Sequence, residues 1–235
     1  PMKRYLYWGV LAGWLLWPAW ADARPACTPQ AVVGTVCELG LAELHPTQPG
    51  VGLLQVESEQ RWLAGMTAEQ REAHILKKRI PVVRGPQGQY WLVDSHHLSR
   101  ALWNNGEREV PVVIEADLSA EPDFWAALRQ RHWAWLQDEH GAPIAPEQLP
   151  TQLGDLPDIP YRSLAGYAAS AGLFDKNGPA YFIEFAWARY LGEQLHWAPV
   201  NAATLTTRLR EAARVACLPQ AANLPGYPGR ACIGH

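Results

Sequence analysis

The sequence predicts an α+β fold, in which a small mixed sheet with helices is followed by a helical C-terminal part. Short runs rich in β-branched residues alternate with helical patterns as far as about residue 120. From residue 121 onward, apolar residues recur mainly at helical spacing. The 235 residues, 48% hydrophobic and 18% charged, suffice for one sizeable core. We therefore divide the chain into an α/β domain (24–120) and a helical subdomain (121–235).

Local signals define the elements of the α/β domain. Thr67-Ala68-Glu69-Gln70 is a capping box that opens a helix, and Gly85-Pro86-Gln87-Gly88 is the turn of a hairpin. Asn104-Asn105-Gly106 ends a further helix. In chain order we predict strands over 32–39 and 53–61, a helix over 67–79, hairpin strands over 80–84 and 89–93, a helix from 96 and a strand over 110–116.

The helical subdomain contains four predicted helices. They cover 122–137, 161–171, 180–195 and 201–217, where apolar residues lie three or four positions apart. The stretch 138–158 holds four prolines and is predicted to be a loop between the first of these helices and the other three.

The N-terminus has the pattern of an export signal. Lys3 and Arg4 precede an apolar run (5–17), and Ala21-Asp22-Ala23 is a small-residue cleavage site. We expect residues 1–23 to be a signal peptide, which leaves a periplasmic or secreted protein without a membrane span; a retained anchor is the alternative. The formal charge of −3 gives no overall attraction for nucleic acid, so such binding would depend on a local patch.

All four cysteines lie near the two ends of the exported part: Cys27, Cys37, Cys217 and Cys232. An even number of cysteines in an oxidising compartment predicts disulfides. Two short local loops and links between the two ends are the pairings left open. The sequence has no Cys-x-x-Cys, which disfavours a zinc site or thiol catalysis.

The chain is organised around residues 90–103, an apolar strand that leads through a polar turn into a helix. Asp94 or Ser95 is expected to cap a helix that starts at His96. The first turn of a helix has unpaired N–H groups and a partial positive charge, so a phosphate or carboxylate can bind there beside two imidazoles. The predicted phosphate-binding residues are Ser95, His96, His97 and Arg100.

Hydrolysis of a phosphodiester needs a base for the attacking water and an acid for the leaving oxygen. His96 and His97 can supply these groups, with Asp94 as the third catalytic candidate; the alternative for Asp94 is a cap that also orients a histidine. Adjacent residues of a helix point about 100° apart. We therefore expect one histidine to face the site and the other to face the core or the preceding loop.

Three further residues are candidates for the pocket. His45 and Gln48 lie in the Pro- and Gly-containing loop 41–52, the kind of rigid connection that a ligand can lie against. Arg162 either contacts a phosphate or forms a structural ion pair with Glu184.

Separated boxes of the sequence cover most of 37–194: Leu44-His45-Pro46-Thr47-Gln48, Val51-Gly52, the hairpin 80–93 with Asp94-Ser95-His96-His97, Tyr161-Arg162-Ser163-Leu164-Ala165-Gly166, and Glu184-Phe185-Ala186-Trp187-Ala188. In these boxes the chain resembles the ParB-like putative nucleases, a branch of the ParB and sulfiredoxin fold that also includes a free-serine kinase. The resemblance implies a ParB/sulfiredoxin-like mixed sheet and a strand-to-helix turn that binds nucleotide phosphates.

Three positions depart from the nucleotide-using relatives of this fold. Ser95 stands where relatives commonly have glycine, Leu98 where they have arginine, and Gln48 where the kinase has glutamate. An amide cannot act as a general base, and neither position 95 nor 96 has the cysteine that sulfiredoxin needs. The resemblance therefore implies neither kinase nor sulfiredoxin activity.

These observations predict an exported ParB-like nuclease or phosphodiesterase; the alternative is a non-catalytic module of this fold that binds phosphate, a nucleotide or nucleic acid. The expected partner is a phosphate-bearing ligand, either nucleic acid or a small phosphoester. No cofactor is implied. A divalent metal is compatible with the chemistry, but no ligand cluster in the sequence predicts one.

Overall fold

The computed structural model describes residues 24–229. The predicted signal peptide (1–23) lies outside the described residues, as do residues 230–235, which include Cys232.

A five-stranded mixed sheet forms the first part of the chain. Its strands are β1 (Val36–Gly40), β2 (Leu44–Pro46), β3 (Pro81–Arg84), β4 (Tyr90–Leu92) and β5 (Glu109–Asp117). In the order β1-β5-β3-β4-β2, the β1/β5 and β3/β4 pairs are antiparallel, and the β5/β3 and β4/β2 pairs are parallel. The predicted hairpin is the β3/β4 pair.

The described part of the chain contains seven α-helices. They are α1 (Leu53–Ala64), α2 (Ala68–Lys78), α3 (His96–Asn104), α4 (Phe124–Gln130), α5 (Pro160–Ser170), α6 (Ile183–Gln194) and α7 (Leu205–Val215). The predicted capping box is present at α2, where the Thr67 hydroxyl accepts from the Gln70 N–H at 3.2 Å. Sheet and helices together confirm the α+β class.

Three sequence-based predictions of secondary structure are wrong. Residues 44–46, predicted as part of the loop 41–52, form strand β2, because their backbone pairs with β4. Residues 53–61 form most of α1 and not a strand, because Val56 and Leu63, two helical turns apart, are the residues that α1 buries. The helix predicted over 122–137 ends at Gln130, since His132 has a left-handed backbone with φ 57° that a helix cannot continue.

Helix α1 connects the two halves of the core. One cluster of buried residues lies between the sheet and helices α1 and α3, with Leu63, Leu92 and Leu102 among its members. A second cluster surrounds Leu164 and Trp187 on α5 and α6. Because α1 contacts both α3 and α5, it determines how the helical part sits against the strand-to-helix turn.

A disulfide joins Cys27 to Cys37, one of the two local pairings left open by the sequence. It ties the segment before β1 to the strand itself. The other local pairing involves Cys232, which lies outside the described residues. Within residues 24–229, none of the helices has the length and apolar character needed to cross a membrane.

Candidate functional site

The turn between β4 and α3 is held by side chains that fold back on the backbone. Ser95 has a left-handed backbone with φ 64°. Its N–H donates to Oδ1 of Asp94 at 2.6 Å, and its hydroxyl donates to the Arg79 carbonyl at 2.8 Å. Neither side chain therefore caps α3, contrary to the sequence-based prediction, because the left-handed turn directs the Ser95 hydroxyl toward Arg79.

The N-terminus of α3 consequently has backbone donors that neither of these side chains covers. The first amide of the helix with an intrahelical acceptor is that of Ser99, which donates to the Ser95 carbonyl at 2.9 Å. Such uncapped amides carry the positive end of the helix dipole. The first turn of α3 thus has the free backbone donors on which the anion-site prediction rests, although the expected cap is absent.

The two histidines each accept a hydrogen bond from a backbone N–H, but on different sides of α3. Nε2 of His96 accepts from Thr47 at 3.2 Å, and Nε2 of His97 accepts from Gly52 at 3.0 Å. A ring nitrogen that accepts an N–H carries no proton, so each neutral ring is protonated on Nδ1. Both imidazoles therefore have a fixed tautomer.

Burial and a nearby cation keep these imidazoles neutral. Burial, with Arg162 as the second cause, lowers the pKa of His96 to about 3. The same two causes, together with His96 itself, lower the pKa of His97 well below its usual value. At neutral pH both imidazoles are therefore uncharged, and each can donate a hydrogen bond through Nδ1–H.

His96 lines a cavity of about 400 Å³ between the strand-to-helix turn and the helical part of the chain. We call it the central cavity; Gln48, Asp94, Arg162 and Glu184 also line it. With Nε2 of His96 already bound to Thr47, Nδ1–H is the group that this imidazole can present there.

Arg162 is the buried cation of the central cavity. Its Nη1 donates to Oε1 of Gln55 at 3.2 Å, its Nη2 is paired with Oε2 of Glu184 at 3.2 Å, and its guanidinium carbon lies 5.3 Å from the centre of the Phe185 ring. The Nε–H is buried and has no acceptor among the described residues. Burial lowers the pKa of the guanidinium, whereas Glu184 and Asp94 raise it. The group remains a cation at neutral pH.

Thr47 ties the wall of the central cavity together. Its N–H donates to His96, its hydroxyl donates to the Leu92 carbonyl at 2.7 Å, and its carbonyl accepts from the Trp135 N–H at 2.9 Å. The next residue, Gln48, is buried and donates through Nε2 to the Gly50 carbonyl at 2.8 Å. Thr47 therefore orients the His96 ring, and neither Thr47 nor Gln48 supplies an acid or a base for catalysis.

Four of the sequence-predicted site residues do not present their functional groups to the central cavity. The Ser95 hydroxyl is bound to Arg79, and Arg100 donates to the Leu153 and Leu156 carbonyls at 3.0 and 2.6 Å. His45 donates to the Thr151 carbonyl at 3.0 Å, and His97 lines a separate groove. The cavity brings together Asp94, His96, Gln48 and Arg162.

The rim of the central cavity contains residues that the sequence did not indicate. The rings of His132 and Tyr181 stack 4.0 Å apart with planes 7° from parallel, and Glu115, Phe182 and Phe185 also line the cavity. They come from three separate segments, so no spacing in the sequence links them. Over residues 24–229, no three or more His, Cys, Asp or Glu side chains are grouped so that they could hold a metal ion.

Comparisons with known proteins agree with this architecture. The family model described as "Putative ParB-like nuclease" matches residues 37–193. The crystal structure of protein Atu1540 from Agrobacterium tumefaciens is similar, with a TM-score of 0.71 and 29% sequence identity over 82% of this chain and 96% of that chain. A search of curated proteins found no match.

Proposed function

Because the chain belongs to the ParB-like putative nuclease family, we propose that its central cavity binds the phosphate of a phosphodiester and that the protein hydrolyses this bond. One observation carries the proposal. Arg162 is a buried cation in the wall of the cavity whose Nε–H has no acceptor among the described residues. A buried unpaired donor is costly unless a ligand or water satisfies it, and an arginine matches the oxygens of a phosphate.

Two further donors support an anion at this position. The uncapped first turn of α3 contributes backbone N–H groups and its dipole, and neutral His96 contributes Nδ1–H. The His96 donor is held in place before a ligand arrives, because Thr47 fixes its ring. Donors that are already oriented lose little conformational freedom on binding.

In the proposed hydrolysis, Asp94 is the base and the other residues bind the phosphate. Its carboxylate lines the cavity beside the start of α3. It takes a proton from a water molecule whose oxygen attacks phosphorus, the bond from phosphorus to the leaving oxygen breaks, and that oxygen takes a proton from solvent. His96 holds the phosphate as a neutral donor, because its pKa of about 3 leaves it without a proton to give on Nε2.

The depressed pKa values of both histidines favour a second candidate, a module that binds the phosphate without turnover. In that case His96 and Arg162 have the same binding roles, and Asp94 only positions the turn through its bond to the Ser95 N–H. The two candidates differ in one property, the hydrolysis rate of the bound ester.

We also propose that the protein acts outside the cytoplasm, on a nucleic acid or a small phosphoester. The Cys27–Cys37 disulfide supports this location, since such bonds persist mainly in oxidising compartments. The chain's weak net charge of −3 favours recognition of a local phosphate over a long nucleic-acid track.

Binding and turnover should be measured separately on the purified chain. Thymidylyl-thymidine is the binding probe for calorimetry, and bis(4-nitrophenyl) phosphate is the chromogenic substrate, each with and without Mg²⁺. We expect Arg162→Met to weaken dinucleotide binding about 10- to 100-fold, the range for losing hydrogen bonds to a charged group. Arg189→Met is the matched control, because Arg189 forms an exposed pair with Glu193 on α6.

Asp94→Asn separates the two candidates. If Asp94 is the base, this variant should keep dinucleotide binding and lose at least about 100-fold in hydrolysis rate. Binding by the wild type without turnover would favour the module. Failure of the wild type to bind the dinucleotide, or equal binding by wild type and Arg162→Met, would overturn both.

A further inference from the structure

A second recess lies on the other side of α3 from the central cavity. It is an open groove of about 400 Å³ between α1, α2 and α5, with His97 at its wall. We call it the lateral groove. Its other chemistry-bearing residues are Glu59, Trp62, His74, Lys78 and Tyr167.

An aromatic side chain with a large accessible surface lines this groove. Trp62 on α1 is 53% exposed, and its ring meets that of His74 edge to face at 4.5 Å between centres. A tryptophan this exposed is unusual in a chain whose Trp187 is fully buried. The contact with His74 restricts the orientation of the indole, so a ligand would meet a prepared aromatic surface.

Hydrogen-bond donors and acceptors line the lateral groove together with the Trp62 indole. Nε2 of His74 is buried without a partner among the described residues and lies 3.9 Å from Oε1 of Glu59. Burial raises the pKa of Glu59, and burial with nearby Lys78 and Lys77 lowers the pKa of His74. The Tyr167 hydroxyl donates to the Leu54 carbonyl at 3.2 Å, which leaves its oxygen as an acceptor.

The charges of the groove disfavour a strongly charged ligand. It contains one carboxyl group, on Glu59, and one ammonium group, on Lys78. A phosphate near Lys78 would also face Glu59, and a cation near Glu59 would also face Lys78. This differs from the central cavity, where Arg162 and the start of α3 favour an anion.

From this arrangement we propose that the lateral groove binds a sugar residue of a neutral glycan. A sugar ring has an apolar C–H face that packs on an indole and a rim of hydroxyls that need both donors and acceptors. Trp62 provides the packing surface, Glu59 accepts from a hydroxyl, Nε2 of His74 forms a hydrogen bond with a second hydroxyl, and Lys78 donates to a ring or hydroxyl oxygen. The volume of the groove falls in the range of small-molecule sites, about 300 to 1,000 Å³.

Calorimetry on the full chain tests this assignment. Three tetrasaccharides serve as probes: cellotetraose, maltotetraose and tetra-N-acetylchitotetraose. We expect saturable binding of at least one, weakened about tenfold or more by Trp62→Ala and by Glu59→Ala, which removes the acceptor. Leu76→Ala is the matched control, since Leu76 is an exposed apolar residue of α2 that does not line the groove. Thermal unfolding of each variant verifies that it is folded.

Absence of saturable binding by the folded wild type to all three tetrasaccharides would overturn the assignment. So would binding that survives Trp62→Ala in full. Thymidylyl-thymidine is offered to the same variants. If Trp62→Ala, and not Arg162→Met, removes its binding, the groove takes a base-bearing phosphoester and the glycan assignment is wrong.

Discussion

The central cavity and the lateral groove have the same volume, about 400 Å³, and each contains one residue of the pair His96-His97. The cavity is arranged around a buried guanidinium, whereas the groove has an exposed indole and one side chain of each charge. Successive residues of a helix point about 100° apart, so the histidine pair divides between the two recesses. A His-His sequence at a helix start is therefore not by itself a joint catalytic site.

Contacts with the backbone restrict the chemistry of both histidines. Each histidine accepts an N–H through Nε2, from Thr47 in one case and from Gly52 in the other. Both bonds hold the loop 47–52 against α3. Nε2 of each imidazole is thus used in a structural hydrogen bond. Only Nδ1–H of His96 is left for a ligand in the central cavity.

The largest effect is expected from Gly52→Ala, at the start of α1 where it packs against Ser163 of α5. A Cβ at this position would lie 2.4 Å from the Ser163 hydroxyl and 2.6 Å from its backbone nitrogen. We expect the free energy of unfolding to fall by about 3 kcal/mol, at the upper end for overpacking, in urea denaturation. At Gly65→Ala the nearest atom is 3.5 Å away, so this control should change little. Equal stability of the two variants would contradict the close packing of α1 on α5.

The next largest expected effect is a change of the free energy of unfolding with pH. The pKa of His96 is about 3 in the folded protein against 6.5 for a free imidazole, so between these values the unfolded chain binds the extra proton. Stability should therefore fall as the pH is lowered below about 6.5, by about 1.4 kcal/mol per pH unit for each such histidine. His97 and His74 act in the same direction.

His96→Gln isolates one part of this slope, because the glutamine amide oxygen can still accept from Thr47. Urea denaturation between about pH 6.5 and 5 should show a slope smaller by one proton. His140→Gln, at an exposed imidazole, is the control. An unchanged slope in His96→Gln would mean that His96 is protonated in the folded protein and is not a neutral donor in the cavity.

The smallest effect concerns Ser95, at the entrance to α3. Its left-handed backbone, with φ 64°, costs about 1 kcal/mol for a residue with a side chain, and its hydroxyl bond to Arg79 offsets this by a similar amount. Ser95→Gly should therefore leave the free energy of unfolding within about 0.5 kcal/mol, whereas Ser95→Ala should lower it by about 1 kcal/mol. Equal values for both variants in urea denaturation would argue that backbone strain at this turn is negligible.

The sequence predicted the parts of the fold that depend on local chemistry. The capping box of α2 and the glycine-bounded hairpin turn act over a few residues, and both are found where expected. The strand prediction over 53–61 is wrong because the alternation there is short and imperfect. The burial of Val56 and Leu63 by tertiary packing favours a helix instead.

The candidate site was predictable only in part. The strand-to-helix turn is a local feature, and Arg162 forms the ion pair with Glu184 that was one of its two expected roles while also lining the cavity. The rings of His132 and Tyr181 stack although the two residues are 49 positions apart in the sequence. Left-handed turns at His132 and Phe182 accompany this contact. Serine and phenylalanine are not residues that sequence rules assign to a positive φ, so the turns at Ser95 and Phe182 gave no signal.

Thr47 gives the central cavity a natural probe in solution. Its amide proton is hydrogen-bonded only while the His96 ring stays in place, because Nε2 of that ring is its acceptor. The rate at which this one proton exchanges with deuterated solvent therefore reports how often the cavity wall opens. A ligand held by His96 should slow that exchange whether or not it is ever cleaved, so occupancy can be followed by NMR at a single backbone position.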